Sequence, residues 1–245
     1  QRQMCIRDSV TGDGTKDKIR IRAANQTDDE AYSSLTVSVN GKTAYRLKNT
    51  RFYNVIANIY TLKNGQPFLY LYAPAENGDG PVCALLKYTN GKFRKALDFT
   101  EIMAEYGNHR IGEVTNLNGN KIVITESIVS YSLGINAINF TYEYVNGKFV
   151  PTSRYGSYKE IYSADGSSRH FTVSSDLPAY TRPGATAVNT TLKTGSLTKI
   201  IKCALINGKM YIQLECDGEI YWIKALENPP IADNERQFME VRYAG

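Results

Sequence analysis

The tripeptide Asn-Gly-Lys occurs at Asn40-Gly41-Lys42, Asn90-Gly91-Lys92 and Asn146-Gly147-Lys148, each time between two runs of strand-like residues. Asn-Gly is the strongest short hairpin signal, because both central residues of a type I′ turn need positive φ. A further Gly turn precedes each at a near-constant distance: Gly14, Gly65 and Gly119. Self-similarity with a period of about fifty residues marks a repeat architecture. Such arrays serve as scaffolds and recognition surfaces more often than as active-site cradles.

The segments between the turns read as strands. Lys18-Ile19-Arg20-Ile21-Arg22 alternates with period two, as a half-buried strand does, and Leu35, Val37 and Val39 continue the pattern. The second copy carries Phe68-Leu69-Tyr70-Leu71-Tyr72, the third Lys121-Ile122-Val123-Ile124 and Phe140 to Val145. Each copy supplies three or four strands in about fifty residues, the size of a propeller blade. A short helix is expected between copies two and three, with Thr100 as cap, Ile102, Met103 and Tyr106 on its buried face, and Gly107 as its end. Tyr70 with Tyr72, and Tyr142 with Tyr144, put aromatics on one strand face. Ladders of this kind stack sugars or, more commonly, pack against a neighbouring strand.

Residues 153–170 are rich in Ser and Gly and read as a linker, open to nicking near Arg169. About five short strands follow in residues 171–228, which suggests a small barrel. Residues 229–245 open with Pro229-Pro230 and form a C-terminal tail, expected to pack through Phe238, Val241 and Tyr243. A two-residue turn at Asn207-Gly208 sets Cys203 opposite Ile212, which argues against a Cys203–Cys216 disulfide.

Composition narrows the function classes. The chain has 18 Tyr against a single Trp, which suits strands and amphipathic surfaces. Its net charge of +5 is spread out, without the clustered Lys/Arg footprint of a nucleic-acid binder. No apolar run is long enough to span a membrane. The two histidines, His109 and His170, have no Cys, Asp or His at ligand spacing, so no catalytic residue is assigned and a non-enzymatic role is expected.

Met4-Cys5-Ile6-Arg7-Asp8-Ser9 resembles the translation of a transposon-end adapter used in sequencing libraries. Residues 1–9 are accordingly expected to pack poorly and to be dispensable, and the chain to be a fragment whose signal peptide or further domains lay upstream.

Thr11-Gly12-Asp13-Gly14-Thr15-Lys16-Asp17 resembles the loop of FG-GAP/VCBS-type propeller repeats, over residues 10–152. That resemblance implies a Ca²⁺ site with Thr11, Asp13 and Asp17 as ligands, since hard cations take several oxygens. The other reading is a plain Gly-rich turn. Copies two and three carry no acids at this loop.

Residues 171–228 resemble a bacterial SH3 domain. The resemblance is carried by Leu177 to Tyr180, Leu192-Lys193-Thr194-Gly195-Ser196, Met210 to Leu214, Asp217-Gly218 and Tyr221-Trp222-Ile223-Lys224. Tyr221 stands where the family has Gly, and Pro178-Ala179-Tyr180 where it has Asn-Val-Arg. The resemblance implies a cell-surface module that binds peptidoglycan or another surface glycan or peptide, with Tyr180 and Tyr221 as groove residues. A barrel that only spaces its neighbours is the other reading, and Trp222 reads as core.

The expected molecule is therefore all-β: three propeller-blade-like antiparallel repeats plus a small SH3-like barrel. The expected role is a secreted or wall-associated binding and adhesion module. An accessory targeting region of a cell-wall hydrolase is the alternative.

Overall fold

Asn40, Asn90 and Asn146 adopt φ of 50°, 51° and 51°, and the glycine after each is also positive. All three turns are thus the tight hairpins that their sequence demands. The computed structural model describes residues 2–26, 29–163, 166–232 and 235–243. Within these the chain is all-β, in several antiparallel sheets, none closed into a barrel. No helix among the described residues is long and apolar enough to cross a membrane.

The first unit comprises β1 (Arg2–Asp8), β2 (Asp17–Gln26), β3 (Tyr32–Val39) and β4 (Lys42–Phe52). The second comprises β5 (Ile56–Thr61), β6 (Pro67–Ala73), β7 (Val82–Thr89) and β8 (Lys92–Asp98). The third comprises β9 (Gly107–Asn118), β10 (Lys121–Ser130), β11 (Gly134–Val145) and β12 (Lys148–Pro151). In each, four strands pair in chain order. The upstream Gly turn joins the first strand to the second, and the Asn-Gly-Lys turn joins the third to the fourth. The repeat in the sequence is therefore a four-stranded meander.

The second sheet lies between the other two. All seven residues of β6 are buried. Phe68, Tyr70 and Tyr72 enter the core shared with the third sheet, while Leu69, Leu71 and Ala73 enter the core shared with the first. Period-two alternation divides one strand between two cores. The tyrosine pair serves packing here: the Tyr70 hydroxyl donates to the Gly112 carbonyl at 2.7 Å, which satisfies its buried polar end.

Three expectations change. The adapter-like segment does not hang free. As β1 it pairs with β2 from Arg2↔Ala23 to Asp8↔Asp17, and Met4 and Ile6 pack against the first core. The helix after copy two is a single 3₁₀ turn, Phe99–Glu101, whose cap is Asp98 accepting from the Thr100 N–H. Met103 and Tyr106 are buried beyond it, as their pattern indicates.

Residues 153–170 are not a free linker. Most of that segment is β13 (Tyr155–Ser163), followed by β14 (Gly166–Ser167). Strand β11 pairs with β12 near its end and with β13 over Asn136–Asn139. Then come β15 (His170–Thr172), β16 (Leu177–Ala179), β17 (Thr190–Leu192), β18 (Leu197–Ile206), β19 (Lys209–Cys216) and β20 (Glu219–Lys224). Strand β13 also pairs with β18, so the third sheet runs on through β18, β19 and β20 instead of ending at a linker. Arg169 is tied in as well, donating to the carbonyls of Tyr158 (2.5 Å) and Ile201 (3.4 Å). The strands of residues 171–228 lie in this open sheet and in the small β16–β17 ladder, not in a closed barrel. The tail packs as its apolar residues indicate: Phe238 is fully buried with its ring 5.6 Å from Phe171, and Val241 bridges to Ser163. Cys203 does face Ile212, and Cys5, Cys83, Cys203 and Cys216 are free thiols.

Candidate functional site

The copy-one loop is closed by hydrogen bonds. The buried Asp17 carboxylate accepts from the Val10 N–H at 2.8 Å, the Thr11 N–H at 2.9 Å and the Thr11 hydroxyl at 3.0 Å through Oδ2. Its Oδ1 accepts from the Asn40 amide at 2.6 Å. Burial pushes this carboxyl up, but the bonds from Thr11, Val10 and Asn40 outweigh it and leave the group below its ordinary value. Asp13 is exposed and accepts from the Thr15 N–H and hydroxyl. Thr11, Asp13 and Asp17 thus share one loop, yet Asp17 has its oxygens already engaged. A Ca²⁺ ion would have to displace these donors, and two carboxylates are few for a cation that takes six to eight oxygens. Calorimetry is expected to give a Kd no better than about millimolar.

A denser polar constellation sits in the core between the second and third sheets. His109 Nε2 lies 3.1 Å from Glu126 Oε2, and the Glu126 side chain is 1% exposed. Gly112 makes the room: a Cβ there would lie 2.6 Å from Glu126 Oε1 and 2.5 Å from Phe99 Cδ1. Burial, with Asp98 nearby, pushes the Glu126 carboxyl well above the carboxylate range. Burial lowers His109 against the opposing pull of Asp79 and Asp98. Both directions favour a neutral carboxyl beside a neutral imidazole. Cys83, on the Gly112 backbone, is pushed up to about 12 by burial and is held as a thiol, not a nucleophile. Because the folded pKa of Glu126 is raised, its stabilising contribution is full in acid and is lost as pH rises through that pKa. Glu126→Gln is therefore expected to gain in melting temperature over the parent between about pH 5 and about pH 8. A gap constant with pH would show that the carboxyl is ionised throughout.

The two tyrosines predicted to line a groove separate. Tyr180 joins Ala204, Tyr211 and Trp222 in a small cluster, bridging to the Trp222 backbone at 2.8 and 2.9 Å. Tyr221 precedes Trp222 on β20 and points the other way, against the large core. What does assemble is the outer face of the continued sheet. Register sets Tyr155, Ala204, Tyr211 and Lys224 side by side across β13, β18, β19 and β20. The next row is Ser157, Lys202, Gln213 and Trp222. The Tyr155 and Trp222 rings are 6.0 Å apart. Lys202 Nζ lies 4.5 Å from the Tyr155 ring centre and 6.0 Å from that of Trp222, and Lys224 Nζ lies 5.3 Å from Tyr180. Each exposed cation–π contact contributes about 0.5–1 kcal/mol. Tyr155 is 39% exposed, whereas Trp222 and Tyr180 are nearly covered. The face presents the partly exposed Tyr155 ring, with the Lys202 ammonium and, at 5.6 Å, the Arg154 guanidinium over it and the nearly covered Trp222 beside it. Alternation along β18–β20 carries the signal for Lys202, Gln213 and Trp222, but only the pairing of β13 brings in Tyr155.

Comparison with known protein families, curated proteins and solved structures finds no match for this chain.

Proposed function

We propose that this chain is a non-enzymatic cell-surface binding module that holds bacterial wall glycan on the outer face of β13–β18–β19–β20. The observation that carries the reading is Tyr155, an exposed ring fixed between Lys202 and the Trp222 layer on a rigid sheet. The exposed part of the Tyr155 ring suits the C–H groups of a sugar, while the Lys202 ammonium and Arg154 guanidinium beside it suit hydroxyls and carboxylates. The three meanders support the likeness to FG-GAP/VCBS-type blades, with copy one as a weak Ca²⁺ loop. The strands from Leu177 to Lys224 support the likeness to bacterial SH3 domains, here opened and joined to the third blade instead of closed.

Sedimentation with purified wall at about 0.5 M salt tests the proposal, since screening within ~5 Å removes diffuse attraction. Retention is expected, with loss in Tyr155→Ala and in Lys202→Ala, and little change in Tyr221→Ala. Complete elution by salt would refute it.

A further inference from the structure

We infer that the outer face of the first sheet is a separate docking surface for an anionic polysaccharide. The inner face of this sheet is spent on the core it shares with the second: Ile19, Ile21, Leu35, Val37 and Val39 are all buried there. Alternation turns Lys18, Arg20 and Arg22 of β2 to the other side, where they are exposed, with Arg7 of β1 and Arg46 and Lys48 of β4. Arg22 faces Thr36, and Thr36 faces Arg46. Arg20 and Arg22 share a cleft with Gln3, Ser38, Thr43 and Arg46, and Lys48 joins Arg46 and Ser34 in the next. Among the described residues, no outward position of the four strands carries a carboxylate. Asp8 and Asp17 fall on the alternate phase of β1 and β2, and Asp29 is paired with Arg51.

An end layer of a stack of sheets needs only a polar outer face to stay soluble. Hydroxyls alone would supply that. Cations of one sign, about 7 Å apart along a strand and about 10 Å apart across two strands, form instead a lattice that meets the repeated charges of a linear polymer. Thr36, Ser38 and Thr43 lie among these cations and offer partners to sugar hydroxyls. Tyr32, in phase with Ser34 and Thr36, is turned against the first core and Phe52, so no aromatic stands among these cations as a stacking platform for single-stranded nucleic acid. Charge and hydroxyls together select a sulfated or otherwise acidic glycan. This surface shares no residue with the Tyr155 face, so the two readings fail independently.

The test uses the full chain with dextran sulfate, uncharged dextran and duplex DNA as ligands. Arg20, Arg22, Arg46 and Lys48 are replaced together by Thr, which keeps strand propensity. A control chain carries Thr at Lys63, Lys92, Lys121 and Lys148, all exposed turn-side residues. Dextran sulfate is expected to bind and dextran not. The face variant should lose at least about tenfold and flatten the dependence of affinity on salt, while the control stays within about twofold. Should the face variant melt early, Arg22→Gln/Arg46→Gln, which keeps side-chain length, is expected to weaken binding in the same direction. Equal losses in the face and control variants would reduce the effect to net charge and overturn the inference. So would absence of binding to dextran sulfate, or DNA binding as tight as the glycan.

Discussion

Phe68→Ala is expected to lower the stability of the whole chain by about 3–5 kcal/mol, read as the shift in unfolding free energy from urea titration. Phe68 is almost fully buried in the middle sheet, and its ring lies 4.9 Å from Tyr144 and 4.9 Å from Phe149, both on the third. Truncation removes the transfer energy of the ring and leaves a cavity that two sheets held by their own ladders cannot collapse to fill. The aromatic pairs lost with it add to this. Because the second sheet also backs the first core, the variant is expected to unfold in a single shifted transition. A loss within about 0.5 kcal/mol, the size of an ordinary surface substitution effect, would mean that the sheets are not packed through this strand.

Gly156→Ala is expected to destabilise by about 1–3 kcal/mol, occasionally more. Gly156 sits on β13 where it passes between β11 and β18. A Cβ there would lie 2.5 Å from Phe140 Cε1, 2.8 Å from Ile138 Cγ2 and 2.9 Å from Cys203 Sγ. These neighbours are buried, so relief requires the β13 backbone to move away and weaken both ladders. In a free linker the same substitution would fall within about 0.5 kcal/mol. Equilibrium unfolding of this one variant therefore separates a continuous third sheet from two halves on a tether. It also bears on the binding face, since Tyr155 is the residue before it.

The same residue shows where sequence reading fails and why. The four-stranded meanders are legible because Asn40-Gly41, Asn90-Gly91 and Asn146-Gly147 specify a local backbone geometry that few other residues tolerate. The alternation of Phe68-Leu69-Tyr70-Leu71-Tyr72 is legible too, although which core takes the aromatics is fixed only by stacking. Gly156, by contrast, reads as flexibility and is present for close approach; both uses call for glycine and look alike in one dimension. Arg2–Asp8 reads as foreign, yet an edge of a sheet accepts any chain with a fitting alternation, and Met4 and Ile6 supply it. Glu126 and His109 meet only through the bulged pairing of β9 with β10, so no spacing rule points to them. Tyr180, expected in a groove, is instead nearly covered in the small cluster with Ala204, Tyr211 and Trp222. Tyr221 is one position out of phase with the face, where Trp222 stands instead.

Trp222 is the single tryptophan of the chain, and it lies in the layer behind Tyr155. Its fluorescence therefore reports on the proposed site without a label. The most direct measurement is a titration of the full chain with soluble peptidoglycan fragments at about 0.5 M salt, where screening acts within ~5 Å. A saturable change in Trp222 emission, abolished in Tyr155→Ala and preserved in Tyr221→Ala, is the predicted result. No change in emission, or an identical titration curve for Tyr155→Ala, would contradict the assignment of this face as the binding site.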